Sequence, residues 1–172
     1  MKALTKITCL LLISIACLCT AAAQTKKADR KAAKIAEISK MIADKSYVFK
    51  ANFANPGRGM ASRSLTSDYD LSVSKDTIVA YLPYFGRAYL ADYNSSTEGG
   101  IKFAETHFDY KVTESKKGNH EVLITPKDSK ISDPRAVQSL RLNITPDGYA
   151  SLQVISYNRD PISFDGTIEG KK

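Results

Sequence analysis

Cysteine is missing from most of this 172-residue chain. The three cysteines are Cys9, Cys17 and Cys19, all close to the N-terminus. A chain that begins beyond them has no thiol, which excludes a disulfide, a thiolate metal ligand and a cysteine nucleophile. This use of cysteine also agrees with export of the chain.

Long hydrophobic runs are scarce as well. The strong run extends from Ile7 to Cys19 and is too short for a bilayer, which needs about 20 apolar residues. Lysines precede the run and small residues follow it, which is typical of a secretory signal peptide, predicted here as residues 1–23. Residues 14–17, SIAC, loosely resemble a bacterial lipobox, so lipid anchoring at Cys17 is the alternative.

Histidine is rare, with two residues in the chain. We expect His120 to pair near Glu114 in a hairpin, and strand spacing then places the imidazole of His107 roughly 20 Å from that of His120. The two cannot share a metal ion, and the sequence marks no further cluster of ligands. We therefore predict no metal site and no cofactor, and we expect His120, close to a turn, to be solvated.

Signals for catalysis are also missing. No serine lies in a nucleophile-elbow context. The carboxylates are scattered, and no spacing marks two of them as a pair: Asp109, Glu114, Glu121, Asp128 and Asp133. We predict no catalytic residue and no enzymatic activity.

The net charge of +7 is concentrated towards the N-terminus. Residues 26–45 carry seven basic and three acidic residues, whereas residues 46–172 carry sixteen and fifteen. A nucleic-acid-binding domain has its basic residues on the folded body. The nearly neutral body therefore argues against nucleic acid as a partner.

The basic stretch is predicted to be an N-terminal amphipathic helix or leader, residues 24–45. Apolar residues recur at helical spacing along it, with lysines on the opposite face: Ala28, Ala32, Ile35 and Ile42, with Ile38 beside them. We expect this stripe to pack against a sheet. Peripheral contact of the basic helix with an anionic membrane surface is the alternative.

From residue 46 the hydrophobic period changes to two, which indicates β-strands. In the first strand one apolar face is predicted to contain Tyr47, Phe49, Ala51 and Phe53. About eight or nine short strands follow one another through tight turns such as 74–77 and 145–148, and connections this short require antiparallel pairing. We predict a mainly β single domain over residues 46–170, an antiparallel meander that closes as a barrel, half-barrel or sandwich with the helix packed against it.

Residues 81–93 contain the highest density of aromatic rings. Pro83 ends or bulges the strand there, since proline cannot donate to a β-ladder. In one interpretation the rings fill the end of the β core and Arg87 pairs with an acid such as Asp92. In the other, rings supply contact area and the arginine orients an anionic group at the mouth of a ligand pocket. That pocket would consist of Tyr84, Phe85, Arg87 and Tyr89.

Two motifs of this segment, YLPYFGRA at 81–88 and GGIKF at 99–103, resemble domain-of-unknown-function family 4251. The strings DGYA at 147–150 and SYNRDPISFDG at 156–166 are similar to its later part. The similarity covers roughly residues 37–168. It implies a secreted or lipid-anchored protein of gut-type Gram-negative bacteria with a single domain, and it implies no activity.

These patterns favour an exported, non-enzymatic β domain of the cell envelope, periplasmic or associated with the outer membrane. Its partner is expected to be a small or extended ligand or another envelope protein. One alternative is a carrier of a lipid-like ligand in a barrel cavity of several hundred Å3. The other is a hydrolase of glycan or peptidoglycan, which requires two carboxylates facing each other across an open groove.

Overall fold

Nine antiparallel strands form one sheet that curves into a nearly closed barrel. The computed structural model describes residues 29–57, 59–90, 99–115 and 118–171. The predicted signal peptide therefore lies outside the described residues. The strands are β1 Tyr47–Pro56, β2 Arg63–Val73, β3 Ile78–Pro83, β4 Gly100–Glu105, β5 Phe108–Glu114, β6 His120–Pro126, β7 Val137–Ile144, β8 Tyr149–Ser156 and β9 Ile162–Gly170. The predicted mainly β meander is confirmed, and its closure is that of a barrel.

Residues Ile38–Lys172 form a compact unit. A helix, α1, covers residues 29–43, and its residues from Ile38 onward belong to this unit. Within that unit Ile38 and Ile42 are buried members of the hydrophobic core. The helix ends where Lys45 adopts a left-handed φ of 51°, and the amide of Ser46 donates to the Met41 carbonyl at 3.0 Å in a Schellman-type stop. Within the described residues, no helix is long and apolar enough to cross a membrane.

Alternation along the strands fills the barrel interior. In β6, for example, every second side chain is buried, and the same pattern recurs in β7 and β8. The largest fully buried side chains come from α1 and from seven of the nine strands: Tyr47, Phe49, Phe164, Ile42, Leu71, Ile78, Leu82, Ile101, Ile124, Leu140, Leu142 and Ile144. Since burying one such side chain contributes about 1.5–3 kcal/mol, this packed interior is the main source of stability.

β1 contains a bulge that changes which face its later residues occupy. Its register shifts between Ala51 and Phe53 against both β2 and β9. Phe53 was predicted to share the inward face of β1, but it is 48% exposed, and Ala54 is buried instead. The prediction for Phe53 was wrong because the extra residue, Asn52, reverses the alternation beyond it.

His120 is buried rather than solvated, at 7% exposure. It pairs with Glu114 of β5, as predicted, but it begins an inward-facing series in β6. Its Nε2 lies 3.2 Å from Ser39 Oγ of α1. The expectation of a solvated side chain was wrong because α1 covers this end of the strand. That His120 lies close to a turn in the sequence does not reveal this contact with the helix.

The sheet is interrupted between two strands that are neighbours in the chain. Strand order is β4-β3-β2-β1-β9-β8-β7-β6-β5, so the first strand pairs with the last. β4 and β5 are the two sheet edges, although Thr106 and His107 alone separate them. We call the interruption between β4 and β5 the seam. Each seam strand therefore has one edge whose amides and carbonyls are not paired within the sheet.

The bulge requires glycine at position 166 of β9, which pairs with Ala51 of β1 and Ala150 of β8. A Cβ built on Gly166 would overlap the backbone carbonyl of Lys50. We expect Gly166→Ala to lower the free energy of unfolding by about 3 kcal/mol, because paired backbone cannot move aside cheaply. Urea denaturation would measure the change.

Gly99→Ala is the matched control, because a Cβ built there has no neighbouring atom of the described residues within 4 Å. We expect it to change stability by less than about 0.5 kcal/mol. Equal losses in the two variants would contradict the assignment of a close backbone approach to Gly166.

Candidate functional site

The aromatic segment after β3 is tied to the turn before β9. An isolated antiparallel bridge joins Ala88 to Arg159. The amide of Tyr89 donates to the Asn158 carbonyl at 2.8 Å, and the amide of Asp160 donates to the Arg87 carbonyl at 3.0 Å. These bonds fix a segment that Pro83 has released from the regular ladder.

Arg159 lies at the centre of this attachment. It is 7% exposed, and its Nη1 donates to the carbonyl of Gly100, the first residue of β4, at 3.0 Å. Its guanidinium lies 4.9 Å from the ring centroid of Tyr84, within the range of a cation–π contact. One buried arginine therefore joins the aromatic segment to the start of a seam strand.

Tyr84 and Tyr89 both use their hydroxyls within the fold. Tyr84 Oη donates towards the carbonyl oxygens of Arg87 at 2.8 Å and Asp160 at 3.1 Å. Burial, and next the nearby Asp160 carboxylate, raises the pKa of Tyr84. Tyr89 is 58% exposed, and its hydroxyl donates to Asp160 Oδ1. The two hydroxyls therefore act as hydrogen-bond donors to the 158–161 turn.

The other two predicted site residues are arranged differently. The ring of Phe85 is covered by the guanidinium of Arg63 at 4.7 Å. Arg87 is an exposed residue that uses its backbone carbonyl in the attachment. Its suggested partner, Asp92, lies outside the described residues. The structure thus brings Tyr84, Arg87 and Tyr89 together around Asp160, and ligand binding by the four residues stays a prediction.

A groove of about 600 Å3 opens at the seam. It is lined by β4 residues, by the loop that joins β6 to β7 and by the first residue of β7: Lys102, Phe103, Glu105, Asp128, Ser129, Lys130, Ser132, Asp133, Pro134, Arg135, Ala136 and Val137. We call it the seam groove. It is larger than two other clefts of the described residues, which measure about 400 and 420 Å3, and none of the three is lined by the four predicted site residues.

Charges of both signs line the seam groove in equal number. Lys102, Lys130 and Arg135 face the same cavity as Glu105, Asp128 and Asp133. Asp133 also accepts a hydrogen bond from the Arg135 amide at 2.8 Å, which shapes the loop. A lining without net charge suits an occupant that carries charges of both signs or no charge.

Three potential metal ligands converge at one end of this groove. Donor atoms of Glu105, His107 and Asp128 all lie within 4.8 Å of one another. His107 Nδ1 is 2.9 Å from Asp128 Oδ2, and this hydrogen bond, followed by the charge of Asp128, raises the pKa of His107. We call the three residues the seam triad.

The sequence did not reveal the seam triad. His107 and Asp128 are 21 positions apart, and they meet because the β5–β6 hairpin returns the chain to the β4–β5 connection. The spacing of Glu105 and His107 was the local signal, because Glu105 ends β4 and His107 lies in the two-residue connection that follows it. The sequence marked no ligand cluster beside either histidine, whereas the structure places Glu105 and Asp128 beside His107. The absence of a metal site stays a prediction.

A second cleft results from the bulge in β1. It measures about 400 Å3 and its lining includes the exposed rings of Phe53 and Tyr149, with Asn52, Asn143 and Asp165. Asp165 Oδ2 accepts a hydrogen bond from Asn55 Nδ2 at 2.6 Å. The cleft lies among β1, β7, β8 and β9, each of which pairs with a strand on both sides, so no edge strand borders it.

The fold and the seam define a class of protein, a nearly closed antiparallel barrel with one open seam. The sequence pattern of domain of unknown function DUF4251 matches residues 29–168, and the chain belongs to this family. The chain is also similar to the crystal structure of a DUF4251 family protein from Bacteroides eggerthii DSM 20697. That likeness has a TM-score of 0.58 at 18% identity and covers 81% of this chain and 91% of the other. No curated protein matches the chain.

In the attachment of the aromatic segment, Tyr84 acts through its side chain, whereas Arg87 acts through its backbone carbonyl. We expect Tyr84→Phe to lower the free energy of unfolding by about 1 kcal/mol, because it removes a donor to two backbone carbonyls. Arg87→Ala should change stability by less than about 0.5 kcal/mol, since the attachment uses its backbone carbonyl. Thermal and urea unfolding of both variants would measure this. Unchanged stability in Tyr84→Phe would favour the pocket interpretation of the segment instead.

Proposed function

We propose that this protein is exported to the cell envelope and binds an extended peptide segment of another envelope protein in the seam groove, without catalysing a reaction. The observation that carries the proposal is the pair of strand edges at the seam that no other strand of the described residues covers, with a groove of about 600 Å3 beside β4. An extended segment gains affinity by adding backbone hydrogen bonds to such an edge.

The charges of the groove support a peptide as the occupant. A polyanion needs a basic surface, whereas here three basic and three acidic side chains share one lining. A peptide offers both signs on its side chains and both donors and acceptors on its backbone. Charged residues on β4, Lys102 and Glu105, also discourage unselective pairing of two exposed edges.

The carrier alternative has less support. A lipid-like ligand needs an apolar cavity of several hundred Å3. In the described part of the barrel, the inward positions are occupied by large buried side chains such as Phe49, Leu142 and Phe164.

The hydrolase alternative has one supporting observation. Glu105 and Asp128 both line the seam groove, and their donor atoms lie within 4.8 Å of each other, near the roughly 5 Å of retaining glycosidases. However, Glu105 Oε1 accepts hydrogen bonds from the amides of Thr106 and His107, both at 2.9 Å, and Asp128 is bound to His107. Both carboxylates therefore have a role as acceptors that orders the seam.

Export rests on the N-terminal pattern of lysines, a short apolar run and small residues. We expect the mature protein to begin at Gln24 and to be recovered from the periplasm or the outer-membrane fraction. Mass spectrometry of the N-terminus of protein isolated from its native cells would test this. Detection of diacylglycerol on Cys17 would show that the protein is a lipoprotein rather than an unanchored protein. An uncleaved chain in the cytoplasm would contradict export.

Peptide binding can be tested with synthetic peptides selected from a random phage-displayed library. Fluorescence anisotropy would give their affinities, and backbone NMR would locate the site, with the largest amide shift changes expected in residues 100–105. We expect Lys130→Glu to change the affinity about three- to fivefold, as for one partly exposed charge pair. Lys75→Glu is the matched control, because Lys75 is also an exposed lysine but lies in the β2–β3 turn. Shift changes confined to other strands, or equal effects of the two substitutions, would overturn the assignment.

A further inference from the structure

We propose that the seam triad, Glu105, His107 and Asp128, binds one divalent transition-metal cation of the zinc type. The proposal does not depend on peptide binding in the seam groove. It depends on three donor groups that the fold brings to one point at the end of β4.

The geometry fits a single ion. Zinc binds imidazole nitrogen and carboxylate oxygen at about 2.0–2.2 Å, so donors around one ion lie about 3–4 Å apart. The donor atoms of the triad already lie within 4.8 Å of one another. His107 and Asp128 are exposed and Glu105 is half-buried, so small side-chain rotations close the remaining distance.

The backbone holds the donors in place before an ion arrives. The amides of Thr106 and His107 both donate to Glu105 Oε1, which leaves the second oxygen of this carboxylate for a cation. His107 lies in the two-residue connection between β4 and β5, and Asp128 follows β6 by two positions. The amide of Lys127, beside Asp128, donates to the His107 carbonyl at 2.9 Å. This bond keeps the two donor-bearing segments together, which lowers the entropic cost of binding.

The charge balance favours a cation. Two carboxylates face one imidazole, so the triad keeps excess negative charge in either state of His107. Lys127, whose charge acts on His107, is itself bound to Asp109 at 2.7 Å. Lys102 and Lys130 line the same groove, but neither is a donor of the triad. The ion pair of His107 with Asp128 needs no metal, and the two amides that donate to Glu105 occupy one of its carboxylate oxygens.

The donor set selects the kind of metal. Imidazole suits zinc and other first-row transition metals, whereas magnesium and calcium prefer oxygen ligands alone. Three protein ligands also leave a coordination position of the ion open. We therefore expect zinc to bind and magnesium to bind much more weakly.

Isothermal titration with Zn²⁺ alone and with Mg²⁺ alone, on the full chain without an affinity tag, tests the proposal. His107→Ala should remove one binding event or weaken it at least about tenfold, and Glu105→Gln should weaken it as well. Asp109→Asn is the matched control, because this neighbouring exposed carboxylate lies outside the triad. The test compares the zinc binding of the variants with that of the parent protein. It does not use the total number of zinc ions bound, because the thiols of Cys9, Cys17 and Cys19 also bind zinc.

X-ray absorption provides a second measurement that does not depend on affinity. We expect an imidazole scattering signature at the zinc edge that is lost in His107→Ala and retained in Asp109→Asn. Equal zinc binding by the parent protein, His107→Ala and Asp109→Asn would overturn the proposal. The absence of saturable zinc binding in the parent protein would overturn it as well. Circular dichroism of each variant verifies that the fold is intact, and a fold lost in His107→Ala would shift the test to Glu105→Gln.

Discussion

Pairing of the first strand with the last is the constraint on which the rest of this structure depends. β1 and β9 are in register from Tyr47 opposite Gly170 to Pro56 opposite Ile162. Because an antiparallel meander is otherwise open at its chain ends, this pairing moves the opening to the middle of the chain, between β4 and β5. The bulge at Asn52 and the close approach of Gly166 to the Lys50 backbone belong to the same pairing. The position of the seam groove is thus a consequence of how the two ends of the domain meet.

The aromatic segment stabilises the boundary of that opening. Arg159 contacts the ring of Tyr84 and the carbonyl of Gly100, which is the residue at which β4 begins. Burying a guanidinium is costly unless its hydrogen bonds are made, so the neighbouring rings and carbonyls are required for the arginine to lie there. The ring-rich motif that carries the family resemblance therefore serves, in large part, to fix one end of a seam strand.

Two strand edges that no described strand pairs with, mixed charges and the seam triad all occur at this interruption. A fully closed barrel would pair every backbone group and leave no edge for a partner. Here Glu105 both ends β4 and receives the amides of the connection that follows it. The same carboxylate thus contributes to the turn, to the groove lining and to the triad, which explains why the seam combines an ordered backbone with chemically available side chains.

The sequence by itself determined the class of fold. Period-two alternation and short turns specify antiparallel strands, and the Thr145–Gly148 turn, where Gly148 has a φ of 85°, was predicted from its residues alone. The family membership also followed from residues 81–88 and their neighbours. What the tertiary structure decided was the burial of His120, the outward position of Phe53, the place of the seam and the meeting of His107 with Asp128. Local patterns report the preferences of neighbouring residues, whereas these four features depend on contacts between strands and on one inserted residue, which no local pattern encodes.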